Sequence, residues 1–366
     1  MTETGYGHIL RGTICQDFSI SDDSEGYALI VVCDGHGSQK HFRSDRGSKM
    51  AACIFHDIVK EMYSESHEEL CELASNGNRR ELEFIACHLV RNLIFRWREA
   101  VKNDIGSSDC IAQFDEKEIA ATDPKILEKY RCGKYDVYSA YGTTFIAACM
   151  TGDLCFGIQI GDGDLSAMDN EGRFRRLVPD DPKCSPPPST TSLCDDDAFG
   201  NARVSVCLRA DADFPMAIFA CSDGVIDSFS DDYARHSVFL RMVHEKSNDP
   251  DFEANTRWYL REKLSKEGSR DDVSLAGIVI CDLHDSRKEL NNEVSASESI
   301  AADSLDGTAN AEVINELANG SDFDSGDAKD ETSANCNGDS NETPVSEVSL
   351  NQSTDSADVD VGKNGE

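Results

Sequence analysis

The sequence predicts an α+β domain with a mostly antiparallel sheet. Six apolar runs rich in β-forming residues are bounded by turn residues, and period-two alternation is clearest in residues 154–160. Two amphipathic helical stretches follow the first strand together, whereas a βαβ array would have one helix after each strand. This grouping favours antiparallel pairing. The predicted strands cover residues 27–33, 143–149, 154–160, 203–208, 216–221 and 273–281.

Helices and connections follow from spacing and composition. Apolar residues recur every three or four positions in residues 48–63 and again in 81–101, so both stretches predict helices. A third helix is predicted at 255–266, ending before a glycine. Residues 103–140 are polar and predict an irregular connection. Residues 179–202 contain most of the prolines and predict a long surface loop, which is either a substrate flap or an excursion without function.

The C-terminal region differs in composition from the rest of the chain. From Ser286 onwards there is one aromatic residue, Phe323, and the net charge is −15 out of −34 for the whole chain. Such a segment has too little apolar surface to offset the chain entropy lost on folding. We therefore expect one domain in residues 1–285 and a disordered acidic tail in residues 286–366.

The predicted domain is itself strongly acidic. This charge disfavours nucleic acid and anionic membranes as partners, and it favours cations or basic peptide segments. The sequence has neither an apolar run of about 18 residues nor a basic and then apolar N-terminus, so we expect no membrane span and no signal peptide. Fifteen cysteines, scattered through apolar runs without a CxxC pair, are interpreted as buried thiols. Together these features predict a cytoplasmic protein of undetermined oligomeric state.

Several apolar runs are bordered by acidic residues in glycine-rich or charged turns. Asp-Gly is a common turn pair, so each ending taken alone has an ordinary structural interpretation. Four such endings together favour a common rim of the sheet where carboxylates meet around a cation. The residues are Asp34 in Asp-Gly-His-Gly, Asp162 in Gly-Asp-Gly-Asp, Asp223 in Ser-Asp-Gly and Asp271 in Arg-Asp-Asp.

An acidic cluster of this kind suits hard divalent cations. Mg²⁺ prefers oxygen ligands and keeps several waters, so Asp34, Asp223 and Asp271 with the carbonyl of Gly35 are candidate ligands. Two such ions activate a shared water and stabilise the oxygens of a phosphate ester during hydrolysis. His36 is a candidate general acid for the leaving alkoxide, a role typically worth about 10²–10⁴-fold in rate. Alone it would be interpreted as a turn histidine, but its place in Asp-Gly-His-Gly favours catalysis.

Six segments resemble the metal-dependent serine/threonine protein phosphatases of type 2C. They occur in the order found in that family, and together they span about residues 5–282. The set is specific. The segments are CQDF at 15–18, VVCDGHGS at 31–38, YGTTFIAA at 141–148, IGDGD at 160–164, ACSDGV at 220–225 and SRDDVSL at 269–275.

The resemblance implies a central β-sandwich flanked by helices (αββα), with two Mn²⁺ or Mg²⁺ ions in a cleft at one end. Its implied substrates are phosphorylated proteins, and residues 179–202 resemble the family's variable flap. Asp34 would bridge both ions, Gly35 would bind through its carbonyl, and His36 would be the general acid. The other matched residues are Asp223 and Asp271, which would complete one ion's protein ligands, Asp17, which would orient a metal-bound water, and Asp162, which would help hold a weaker third ion.

The chain departs from the family pattern at several positions. Gln16 replaces a common glutamate that approaches the second ion, which favours contact through water there. Asp272 replaces a common asparagine, and Asp164 interrupts the usual ending after Gly-Asp. The family's phosphate-binding arginine is replaced by glycine. Arg11 and Arg43 are therefore candidate phosphate ligands, each with a structural alternative.

Three functions compete on these observations. The leading hypothesis is metal-dependent hydrolysis of phosphoserine and phosphothreonine monoesters on proteins. The second is a non-catalytic phosphoprotein-binding regulatory module on the same fold, favoured by Gln16, Asp164 and the missing arginine. The third is a metal-dependent phosphodiesterase or nuclease, which the acidic composition disfavours because a polyanionic substrate requires an electropositive path.

Overall fold

The structure is a computed structural model that describes residues 1–105, 118, 122–185, 189–230 and 232–280. The predicted tail and the boundary before it lie outside these residues. The strands described are β1 Thr2–Glu3, β2 Phe18–Ser24, β3 Tyr27–Cys33, β4 Phe145–Met150, β5 Leu154–Ile160, β6 Asp164–Met168, β7 Phe174–Arg176, β8 Arg203–Leu208, β9 Ala217–Cys221 and β10 Val273–Val279.

The ten described strands form two five-stranded sheets. One has the order β1-β10-β9-β6-β7 and the other β2-β3-β4-β5-β8. Every strand pair in both sheets is antiparallel. The prediction of antiparallel pairing is therefore confirmed, and the pairing is divided between two sheets.

Strand β3 shows how the two sheets pack. Ile30 and Val32 lie in the apolar layer between the sheets with Ile218 of β9, whereas Leu29 and Val31 face the helices on the outer side. Because both faces of β3 are buried, its sequence is a continuous apolar run without alternation.

Helices cover the outer face of each sheet, which confirms the predicted αββα sandwich. The long helices α2 and α3 pack on the sheet that contains β3, and α7, α8 and a following π-helix pack on the other sheet. The helices described are α1 Tyr6–Arg11, α2 Ser44–Ser75, α3 Arg79–Asp104, α4 Pro124–Arg131, α5 Ala198–Asn201, α6 Asp223–Asp227, α7 Tyr233–Lys246, α8 Phe252–Tyr259 and the π-helix Leu260–Ser269.

The predicted connection at 103–140 is wrong in part. It contains α4 and a 3₁₀-helix at Val137–Tyr141, both short and therefore without a readable apolar period. Strand β2 was not predicted from the sequence. It is an edge strand whose polar side chains, such as Ser21 and Asp23, are exposed, so it has no apolar run. Helix α7 was not predicted either, since its buried Phe239, Leu240 and Val243 stand beside the exposed Val238.

Two predictions from composition concern the chain as a whole. In the part of the chain that the structure describes, no helix is long and apolar enough to cross a membrane. The twelve described cysteines are free thiols. Cys33, Cys149, Cys155 and Cys221 are buried as predicted, and Cys281 lies outside the described residues. The prediction of buried thiols is wrong for Cys53, Cys71 and Cys132, which are exposed.

Candidate functional site

A cleft of about 730 Å³ opens at one end of the sandwich. It lies where β3, β5 and β9 end and where β4 and β10 begin. All four aspartates predicted from the acidic turns line it. The carboxylates in its lining include Asp34, Asp162, Asp223, Asp271 and Asp272.

The Asp34–Gly35 turn is held by the segment before β4. The amide N–H of Thr144 donates to the Asp34 carbonyl at 2.8 Å, and the hydroxyl of Thr143 donates to the same oxygen at 2.9 Å. The N–H of Asp34 donates to the Thr144 hydroxyl at 3.1 Å. A Cβ on Gly35 would lie 2.5 Å from the carbonyl oxygen of Gln16, so no larger residue fits. These bonds explain the threonine pair in the segment 141–148.

A second pair of turns carries Asp223 and Asp271. The N–H of Ser222 donates to the Ser274 carbonyl at 3.1 Å, and the N–H of Ser274 donates to the Ser222 hydroxyl at 3.0 Å. These reciprocal bonds join the end of β9 to the start of β10. Gly224 lies against this junction, where a Cβ would be 2.1 Å from the carbonyl oxygen of Asp272.

Replacing Gly224 with alanine should destabilise the fold by about 1–3 kcal/mol, because the added methyl group must displace backbone next to the site. Gly152→Ala is the matched control, since a Cβ there meets nothing within 4 Å. Urea unfolding of both variants measures the difference. Equal stability of Gly224→Ala and Gly152→Ala would contradict the tight junction.

Burial and neighbouring charges raise the pKa values of three carboxyl groups of the cleft, those of Asp34, Asp162 and Asp271. Burial, the charges of Asp223 and Asp17, and a hydrogen bond with Asp223 raise the pKa of Asp34 well above its usual value. Burial and the Asp223 charge likewise raise the pKa of Asp162 and of Asp271. The crowding of these acidic groups therefore opposes their ionisation in the metal-free cleft.

Asp17 lies beside this cluster, deeply buried. Burial first, then the Asp272 charge, raise the pKa of Asp17 to about 8. Its Oδ2 atom is buried and has no hydrogen-bond partner among the described residues. Buried carboxylate oxygens are normally paired, so this orphaned oxygen and the neighbouring aspartates fit a site for divalent cations.

A divalent cation in this cleft would need ligands in addition to side chains. In the described ranges, no three His, Cys, Asp or Glu side chains stand ready to hold a metal ion. Mg²⁺ usually binds few carboxylates and keeps several waters. Backbone carbonyls and water would therefore complete the coordination.

The metal-free protein should lose stability as the pH rises. The pKa of Asp17 is about 8 in the folded state and about 3.9 in an unfolded chain, so between these values only the unfolded state is ionised. Stability is complete below about pH 4 and falls until about pH 8. Urea unfolding with chelator should show a loss of about 1–3 kcal/mol between pH 6 and pH 8.

Two comparisons test the origin of this pH dependence. Saturating Mn²⁺ should flatten it, because an ion that binds only the folded state neutralises the cluster. Without metal, Asp17→Asn should remove part of the pH dependence of the free energy of unfolding. The samples are the parent with chelator, the parent with Mn²⁺ and Asp17→Asn with chelator. If stability changes equally with pH in all three, the carboxylate cluster does not control it.

His36 lies in the cleft next to a second histidine, His41, for which no sequence motif predicts a role. The ring centroids of His36 and His41 are 4.7 Å apart in an edge-on arrangement, and Nδ1 of His41 bonds to the Ser139 carbonyl. Burial, together with His41 and Lys40, lowers the pKa of His36 to about 3. Burial lowers the pKa of His41 to about 4. Both rings are therefore neutral near pH 7 before any anion binds.

Asp272 connects the N-terminal segment to the site. Its carboxylate accepts hydrogen bonds from the N–H of Gly5 at 2.6 Å and of Gln16 at 2.7 Å, and it bonds to Nδ1 of His8 at 2.9 Å. Burial opposes its ionisation, but the hydrogen bonds from His8, Gln16 and Gly5 lower its pKa overall. An asparagine amide would accept fewer of these bonds. Asp272 is thus a structural anchor, and no motif pointed to His8.

The departures at Gln16 and Asp164 have structural explanations. The amide group of Gln16 donates to the Ser44 hydroxyl at 2.6 Å and to the His36 carbonyl at 3.2 Å. Asp164 is buried outside the cleft lining, where it accepts a hydrogen bond from Ser166 and lies 3.3 Å from Nε of Arg176. Burial raises the pKa of Asp164 to about 6.

The two candidate phosphate ligands are separated by the fold. Arg11 is exposed and lines the cleft. Arg43 is buried and outside the cleft lining, and its guanidinium donates to Glu118 at 2.6 and 2.8 Å and to Tyr141 at 2.7 Å. The prediction that Arg43 contacts phosphate is therefore corrected to a structural role, because its donors face these partners.

Part of the predicted 179–202 loop forms a wall of the cleft. The Thr190 hydroxyl donates to Oδ1 of Asp162 at 2.7 Å. The Ser192 hydroxyl donates to the Thr143 carbonyl at 3.0 Å and accepts from the Thr143 N–H at 3.1 Å. This segment is bonded to the turns that carry the site. Movement as a flap stays a prediction.

One family model, described as protein phosphatase 2C, matches residues 4–267 of the chain. A search of curated protein sequences found no match. Among solved structures, the serine/threonine phosphatase Stp1 from Staphylococcus aureus is 15% identical, with a TM-score of 0.45 and coverage of 77% of this chain and 94% of that one. PppA from Pseudomonas aeruginosa is also 15% identical, with a TM-score of 0.46 and coverage of 76% and 95%.

Proposed function

The chain belongs to the protein phosphatase 2C family, and from this premise we propose that it hydrolyses phosphoserine and phosphothreonine monoesters on proteins in a metal-dependent reaction. The observation that carries the proposal is the meeting of Asp34, Asp223 and Asp271, which are distant in sequence, in one acidic cleft. The raised pKa values of Asp34 and Asp271 indicate a site that is incomplete without cations.

Two Mn²⁺ or Mg²⁺ ions are proposed to bind here, with Asp162 contributing to a weaker third ion. Asp34 would contribute to the binding of both ions, Gly35 would bind through its carbonyl, and Asp223 and Asp271 would complete the protein ligands of one ion. Bound ions would supply an activated water and neutralise charge on the phosphoryl oxygens. Asp17, with its orphaned buried oxygen, would accept a hydrogen bond from water in the site.

His36 and Arg11 would act on the substrate directly. A phosphate dianion beside His36 favours the imidazolium form and offsets the burial that lowers its pKa. His36 would then donate its proton to the leaving serine or threonine oxygen. Arg11 makes no ion pair with the described residues, so its guanidinium is available to the non-bridging phosphate oxygens.

Release of phosphate from a phosphothreonine peptide tests the proposal. With the full chain, turnover should require Mn²⁺ or Mg²⁺, and chelator should abolish it. A bis-ester substrate should react much more slowly than a monoester, which separates this function from a phosphodiesterase. Peptide binding without turnover at any metal concentration would reject the enzyme and favour the regulatory module.

A further inference from the structure

A second concave site lies between α2 and α3, and we call it the α2–α3 groove. Its volume is about 430 Å³, and among the described residues it shares no lining side chain with the acidic cleft. Its base consists of the buried apolar side chains of Ile58, Leu70 and Leu89. Ser66, where α2 is kinked (φ −134°, ψ 15°), also lines it. The groove is therefore formed by this pair of helices.

The α2–α3 groove contains apolar surface that the fold leaves open to solvent. Phe84 lines the groove and is 67% exposed, and the half-buried Met62 and Ile85 line it too. One exposed apolar side chain on a surface is normal. Here, however, the exposed aromatic ring shares a concave site with buried and half-buried apolar side chains, which is typical of a binding groove.

Three glutamates of α2 line the same groove at intervals of four residues. Glu61 is paired with Arg96 of α3 at 2.6 Å. Glu65 and Glu69 are exposed and have no Lys or Arg partner within the described ranges. Like charges four residues apart destabilise a helix. A cation that binds beside Glu65 and Glu69 therefore relieves a repulsion within the protein.

Charge distinguishes among the occupants that such a groove could take. The C-terminal region from Ser286 onwards carries −15 of the net charge of −34, so the glutamates repel it. A second copy of the chain presents the same acidic surface, and nucleic acids and anionic membranes are disfavoured for the same reason. A basic segment with apolar side chains is complementary to both the carboxylates and the apolar base.

We propose that the α2–α3 groove binds a basic amphipathic segment of a partner protein. Its apolar side chains would contact Phe84, and its Lys or Arg residues would pair with Glu65 and Glu69. A helix that lies in a groove presents apolar side chains every three or four residues in this way. The site goes beyond phosphate-ester hydrolysis, because it recruits another protein to a surface separate from the cleft.

The test is equilibrium binding of three labelled peptides of equal length to the full chain with chelator. In the first peptide, lysine and leucine are ordered so that a helix has one basic and one apolar face. The second has the same composition without an apolar face, and so measures attraction by net charge alone. The third has glutamate in place of lysine. The parent should bind the first peptide about tenfold or more tightly than either of the others.

The variant Phe84→Ser, Glu65→Lys should bind the first and second peptides with affinities within about twofold of each other, because an apolar contact and a carboxylate are lost. Val238→Ser, Glu245→Lys is the matched control. It makes the same kinds of substitution at exposed positions of α7, with the same change in net charge, and neither residue lines the groove. It should keep the preference. Thermal unfolding midpoints of both variants should be close to that of the parent, since the replaced side chains are exposed.

Three results would overturn the groove as a binding site. The first is equal affinity of the parent for the first and second peptides, or no binding of either. The second is an unchanged preference in Phe84→Ser, Glu65→Lys, and the third is a lost preference in Val238→Ser, Glu245→Lys. Because binding is measured without metal and without turnover, these results do not depend on the proposed phosphatase activity.

Discussion

Asp34→Asn should lower kcat for a phosphothreonine peptide by about 10³-fold or more. Metal-ion stabilisation of a phosphoryl transfer contributes several kcal/mol, and the proposed bridging carboxylate is needed for that contribution. The substitution removes the Asp34 carboxyl group. Burial and the charge of Asp223 raise the pKa of this group in the metal-free protein. The measurement is phosphate release at saturating Mn²⁺.

The same substitution should leave the metal-free fold intact or make it more stable, because it relieves repulsion among buried carboxylates. Lost activity with an unchanged unfolding midpoint therefore locates the defect in metal binding. Asp153→Asn is the matched control, since Asp153 is exposed in the turn between β4 and β5, at the other end of the strands. Activity within about tenfold of the parent for Asp34→Asn would contradict the assigned role.

His36→Gln should lower kcat for the phosphothreonine peptide by about 10²–10⁴-fold, the usual contribution of a general acid. The alkoxide of threonine is a poor leaving group and needs a proton. The p-nitrophenolate anion is a good one, so hydrolysis of p-nitrophenyl phosphate should fall far less. Steady-state kinetics of the two substrates measures the difference.

His41→Gln serves as the comparison for His36, because the two rings lie side by side in the cleft. A positioning role for His41 would lower kcat for the peptide more moderately than the loss of His36 does. Equal losses for both substrates in His36→Gln would show that His36 does not protonate the leaving group.

The strands that the sequence predicted best are those buried on both faces. Residues 27–33 and 154–160 form β3 and β5 with the predicted bounds, because continuous or alternating apolar runs reflect burial directly. The edge strand β2 and the three-residue β7 carry little of this signal. Their positions follow from pairing with neighbouring strands, which a local pattern does not contain.

The candidate site was predictable to the extent that glycine turns mark it. Asp34, Asp162, Asp223 and Asp271 all reach the cleft, since each stands at the end or start of a buried strand. No sequence motif identifies His8 or His41, because the residues that they bond to, Asp272 and Ser139, are distant in sequence. Arg43 was misjudged because proximity to the first turn along the chain does not determine which way a side chain points.

The most direct test of the proposed metal centre is calorimetric titration of Mn²⁺ into the chelator-treated full chain and into Asp34→Asn. We expect saturable binding of two ions by the parent, with release of protons because Asp17 and Asp34 have raised pKa values. Asp34→Asn should lose this binding, and Asp153→Asn should keep it. An absence of saturable binding in the parent, or identical titrations for the parent and Asp34→Asn, would contradict a metal centre built on Asp34.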